Sequence, residues 1–183
     1  MITMQEVMRL AKDKSRTYTA QEWQDVLLSC PEWVAEDAAR KAKHETAVRI
    51  QAEAVKPEQD PILKELSAVG HPSESVWTLV NLKAAYPAAI PVLVKYFPLV
   101  THPVLREGIA RALTVREAQG QASVLLLDAL KNESDAELRW VFANALTVVA
   151  ERKDAVAIEA LLADRAYEDV SERLGEALKK LKS

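Results

Sequence analysis

The sequence is poor in cysteine and glycine, and each shortage closes off a class of protein. With Cys30 as the only cysteine, no intramolecular disulfide can form, so a secreted scaffold held by disulfides is excluded. Four glycines in 183 residues are too few for the tight turns of a β-sandwich or barrel. Charge of one sign is also lacking: 24 basic residues stand against 27 acidic ones, and a net charge of −3 argues against a surface built to hold phosphate backbones. The most apolar window, residues 84–100, is broken by Pro87, Pro91 and Pro98 and carries Lys95, so it cannot cross a bilayer as one continuous helix. The opening MITMQEV has no basic stretch followed by an apolar core and does not read as a signal peptide. A cytoplasmic protein with no membrane partner is the expectation.

Alanine and leucine dominate what is present, and hydrophobic residues make up 49% of the chain. That composition favours helix and supplies a core for one domain or one short repeat array. Self-comparison is the most informative operation. PVLREGIARALTV (103–115) lies over AELRWVFANALTV (136–148) at an offset of 33, with identity at seven of thirteen positions. A second series links Ile90, Val124 and Ile158, and Leu93, Leu127 and Leu161, at offsets of 34. Two interleaved series of nearly equal period imply a two-helix unit repeated along the chain. Within the units, Leu105, Ile109, Ala112 and Leu113 fall at i, i+4, i+7 and i+8, and Leu138, Phe142, Ala145 and Leu146 repeat that stripe. Thr101, Ser134 and Asp169 stand where helices should begin, and Gly70 and Gly120 fall between helices.

These signals predict four helical hairpins: 60–68 with 73–84, 87–97 with 102–116, 120–131 with 135–150, and 154–164 with 169–181. A single hairpin cannot cover its own apolar face, so stacking must supply the core. YPAAIPVLVKYF (86–97), followed by VLREGIARAL (104–113), resembles the short bacterial HEAT-like repeat, a kind also seen in phycobilin lyase subunits. The Asp-x-x-Leu-Arg opening of that repeat is intact at Asp135 to Arg139. His102 replaces the aspartate in the preceding unit, and Ser171 falls where the last unit should carry arginine. The resemblance spans residues 60–183 and implies an all-α fold, a right-handed α-solenoid whose second helices line a concave face. HEAT-like repeats serve adaptors, inhibitors and a few enzymes, so the resemblance speaks to fold before activity.

Residues 1–59 lie outside the repeat and read as an N-terminal helical cap or extension, leaving 60–183 as the solenoid. A helix is predicted over residues 3–13, a capping box at Thr19 and Glu22 opens a second, and Pro31 opens a charge-dense third helix running to about Val55. That third helix reads as a solvated helix or as a partner-binding arm. The polar stretch KPEQDP (56–61) reads as a linker.

Chemistry is hard to find. His71 and His102 stand at equivalent turns, too far apart for a shared zinc ion when stacked helices are roughly 8–10 Å apart, and His44 is alone in the charged helix. Cys30 has no histidine or basic neighbour to activate it. Adjacent carboxylates such as Glu36 and Asp37 diverge by about 100° on a helix. Catalytic residues, a cofactor site and a metal site are therefore not expected.

The second helices carry one distinctive pattern. Trp77 and Asn81 stand at i, i+4, Trp140 and Asn144 repeat the spacing, and Glu107 and Arg111 occupy the unit between them. This ladder is the candidate partner-binding surface; the plainer alternative is that both tryptophans fill gaps between repeats while the asparagines bond locally. Arg106 and Arg139 match the HEAT-like ladder arginine, which usually pairs with carboxylates or carbonyls at the turns. The expected function is a non-catalytic module that binds a protein partner, as an adaptor, scaffold, inhibitor or toxin-neutralising immunity protein. The alternative, implied by the resemblance alone, is an enzyme or enzyme subunit acting on a tetrapyrrole or nucleobase.

Overall fold

The computed structural model describes residues 2–182, and among these residues it contains ten α-helices and no strand. The chain divides into two compact units, Met1–Ala54 and Val55–Ser183. No helix among the described residues is long and apolar enough to cross a membrane.

In the first unit, α1 (Met4–Lys12) and α2 (Ala20–Leu28) both start at capping boxes. Thr3 Oγ1 accepts from the Glu6 amide while the Glu6 carboxylate accepts from the Thr3 amide, and Thr19 and Glu22 repeat the exchange. Two otherwise unpaired amides are satisfied at each helix start. These amide bonds hold both glutamates below the usual carboxylate range. Among the described residues of this unit only Val7 and Cys30 are buried, so Cys30 is a packing residue.

Helix α3 (Pro31–Ala68) contributes its first turns to the first unit and its last to the second. Residues 56–61, read from sequence as a linker, are helical throughout. Proline removes a backbone donor and usually ends a helix, yet Pro57 and Pro61 lie inside this one because its side chains are held from outside. Glu58 accepts from the Thr101 amide and hydroxyl and from the His102 amide. Gln59 accepts from the Val76 amide and the Ser75 hydroxyl. Ile62 and Leu66 are fully buried.

The bond from the Thr101 hydroxyl, followed by the amides of His102 and Thr101 and the charge of His102, lowers the Glu58 pKa against an opposing effect of burial. A carboxylate with a depressed folded pKa stabilises the protein fully above its unfolded value and loses that contribution as pH falls through the folded value. Glu58→Gln is therefore expected to flatten the acid side of the stability profile. Urea midpoints at pH 7, 5, 4 and 3 check this; parallel loss in the variant and the parent would refute it.

The second unit continues with α4 (Trp77–Val80), α5 (Ile90–Tyr96), α6 (Pro103–Ala112), α7 (Ser123–Asn132), α8 (Ala136–Val149), α9 (Ala155–Ala163) and α10 (Ser171–Lys182). Short 3-10 turns precede α5, α9 and α10 and follow α5 and α6. Helix α8 packs against α6, α7 and α10, α6 also packs against α4, and α10 against α9. The two matching stripes form the core: Leu105, Ile109, Ala112 and Leu113, then Leu138, Phe142, Ala145 and Leu146, are all buried. Leu93, Leu127 and Leu161 hold equivalent buried places. Val124 does not follow Ile90 and Ile158 inward. It is exposed because α7 turns Ser123, Leu126, Leu127 and Leu130 to the core instead.

The first predicted hairpin is the one that departs furthest from expectation. Its second helix, predicted over 73–84, is the single turn α4. Ser75 Oγ accepts from the Trp77 amide at the start, and at the end the Asn81 side-chain amide donates to the Trp77 carbonyl, replacing the backbone bond that would carry the helix on. Further along, Asp135 caps α8 by accepting from the amides of Glu137 and Leu138. Gly120 adopts φ +75 after α6, and an added Cβ there would meet the Glu151 carboxylate at 2.6–2.8 Å. Glycine alone fits both demands.

Candidate functional site

The ladder residues fall on α4, α6 and α8, helices that are neighbours in that order. Trp77 opens α4 and is half-buried, with its indole nitrogen 3.0 Å from where a Cβ on Gly108 would stand. The absence of a side chain at Gly108 lets the ring lie against α6, so part of Trp77 is spent on packing. Asn81 is exposed, but its amide is engaged with the Trp77 carbonyl at 3.1 Å. Glu107 and Arg111 pair with each other across one turn of α6 at 2.7 Å, and each remains half-exposed.

Trp140 behaves differently. Its side chain is 42% exposed although Val141, Phe142 and Ala143 beside it are buried. The helical turn explains the contrast: Leu138, Phe142 and Ala145 face the core, and Trp140 and Asn144 share the opposite flank. Asn144 is half-buried one turn on, and its carbonyl accepts from the Thr147 hydroxyl at 2.7 Å.

One residue missed in the sequence joins this flank. The Arg173 guanidinium on α10 lies 5.7 Å from the Trp140 ring centroid, a cation–π distance, and donates to Glu176 at 2.7 Å. Its signal was available: Glu107, Trp140 and Arg173 recur at the offset of 33 that aligns the repeats. The ladder thus runs one rung further than the tryptophans suggested.

Arg106 and Arg139 are engaged at the turns. Arg106 forms an ion pair with Glu133 and lies over the Phe142 ring. Arg139 donates to the Asp169 carboxylate at 2.7 Å and to the Ala166 carbonyl, with its guanidinium 4.9 Å from the Tyr167 centroid.

Two clefts of the second unit lie elsewhere. One, of about 370 Å³, is lined by Phe97, Thr101, Arg106, Leu125, Asp128 and Asn132; another, of about 470 Å³, is lined by Arg116, Gln119, Thr147, Ala177 and Lys180. Neither contains a ladder residue. Titratable groups with shifted pKa values are tied up in structural bonds. The buried Tyr86 hydroxyl donates to the Ala112 carbonyl at 2.8 Å, and burial, with Glu117, pushes its pKa up. Lys95 and the Tyr96 hydroxyl hold Glu65 low by donating to it. Among the described residues, no group of three or more His, Cys, Asp or Glu side chains is gathered to hold a metal ion. His71 instead meets the edge of Tyr86 at 6.3 Å, and His102 is the N-cap residue of α6.

No family model, curated protein or solved structure gives a significant match to this chain.

Proposed function

We propose that the chain is a non-catalytic protein-binding module of the HEAT-like kind, acting in the cytoplasm. In this reading residues 60–183 form a short right-handed α-solenoid, residues 1–59 extend it as a cap, and α4, α6, α8 and α10 present a concave binding face. Trp77, Asn81, Glu107, Arg111, Trp140 and Asn144 form the contact surface, with Arg173 added beside Trp140. The observation that carries the reading is Trp140, exposed on a helix whose opposite flank is core and stacked by a guanidinium. Tryptophan and arginine are the side chains most enriched among residues that dominate binding energy. Arg173 pairs with Glu176 beside the indole and Glu107 with Arg111 on α6, so the rim of the proposed face carries fixed rather than free charge. Such a rim suits a partner that docks an apolar side chain on Trp140 and hydrogen-bonds around it.

A photo-crosslinking residue placed at Asn144 is expected to capture one defined partner in cells, while the same residue at Val156, 76% exposed on α9, captures none. Trp140→Ala should abolish the Asn144 crosslink and change stability by less than about 1 kcal/mol. Equal capture at both sites, no capture at either, or an unfolded Trp140→Ala chain would overturn the proposal.

A further inference from the structure

The first two-thirds of α3 present a second surface, unrelated to the ladder. Every residue from 38 to 54 is exposed, and Val34 and Val48 are 39% and 50% exposed. A helix draws most of its stability from burying one face, so a segment of this length without cover calls for a partner. The face is defined by spacing. Val55, Gln59, Ile62 and Leu66, the residues by which α3 seats in the second unit, alternate steps of four and three. The same steps continue upstream through Ala52, Val48, Glu45, Lys41, Ala38 and Val34. A 3.5-residue repeat keeps one seam on one side of a helix and is the spacing that paired helices use. The uncovered seam from Val34 to Ala52 is about 27 Å long.

We infer that this seam pairs with the same seam of a second copy of the chain, the two helices running antiparallel about a two-fold at the level of Lys43. The six seam residues are complementary to their own reversal about that point. Val34 comes opposite the partner's Ala52, Ala38 opposite the partner's Val48, and Lys41 opposite the partner's Glu45. Each large side chain meets a small one, and each charge meets its opposite. The two-fold repeats every contact, as an isologous interface requires. Lys41 lies 2.8 Å from Asp37 on its own helix, whereas Glu45 has no hydrogen bond or ion pair among the described residues. Glu45 is therefore left without a cationic donor within one chain, and Lys41 of the second copy supplies one.

The full chain should move in sedimentation equilibrium from 20.3 kDa towards twice that mass over a micromolar concentration series. Glu45→Lys and Lys41→Glu each place like charges opposite one another twice over and should weaken the dimer at least about tenfold. The double variant, Lys41→Glu with Glu45→Lys, rebuilds the pair in reverse and should restore it, with circular dichroism at 222 nm confirming that helicity is kept in all four chains. A monomer at every concentration, a dimer indifferent to the single reversals, or a double variant that stays monomeric would each overturn the inference.

Discussion

Phe142→Ala should lower the unfolding free energy by about 3–5 kcal/mol, the range for removing a large aromatic from a packed interior. Phe142 is fully buried, meets the edge of Phe97 with ring centroids 5.6 Å apart, and carries the Arg106 guanidinium over its ring at 5.3 Å. It stands at the repeat position that Ile109 holds on α6, so truncation leaves a cavity where α8 meets its neighbours, and the smaller Ala side chain cannot fill it. Urea denaturation of the variant beside the parent measures the loss from the shift in midpoint at unchanged slope. A loss below about 1.5 kcal/mol would show that the site collapses freely and that the core is less close-packed than described.

Arg106→Met is expected to cost about 2–4 kcal/mol, for a different reason. The Glu133 side chain is only 9% exposed, and Arg106 is its ion-pair partner. Methionine keeps much of the arginine stem's packing but leaves the carboxylate buried without its counter-charge, which is more damaging than lacking the pair altogether. Glu133 also accepts from the amides of Ser134 and Asp135 at 3.0 Å each, so its displacement would disturb the entry to α8. The double variant Arg106→Met with Glu133→Leu should recover part of the loss. If the single and double variants are equally unstable, the ion pair is not the origin of the effect.

The sequence carried the second unit's helices well where the repeat was strong. Offsets of 33 and 34 placed α5 to α10 within a few residues, and Arg106 on α6 and Arg139 on α8 find their partners at the neighbouring turns. Legibility failed where local and long-range forces disagree. Pro57 and Pro61 are breakers by local rule, but the partners of Glu58 and Gln59 lie more than fifteen residues away in sequence and cannot be seen from the stretch itself. Residues 73–84 have helical spacing, yet a single amide on Asn81 closes the helix after one turn. Of the candidate surface, Trp140 was legible as a position but not as an exposed ring, because the apolar residues following it argued for burial. The pressure of Trp77 on Gly108 required knowing which helix faces α4. Arg173 was legible only through the period of 33, because it shares neither the tryptophan nor the asparagine of the other rungs.

The arginine links have a direction, and that gives the two ends of the second unit unequal tolerance of trimming. Arg106 reaches forward to Glu133 and Arg139 forward to Ala166 and Asp169, always towards the carboxyl terminus. Peeling away α9, α10 and the turn before α10 strands the Arg139 guanidinium, whose side chain is only 16% exposed, with its acceptors gone. Peeling from the other end, past α6, strands the Glu133 carboxylate, which keeps two backbone donors. Trimming from the carboxyl side therefore breaks these links at their acceptors, and trimming from the amino side breaks them at their guanidinium groups.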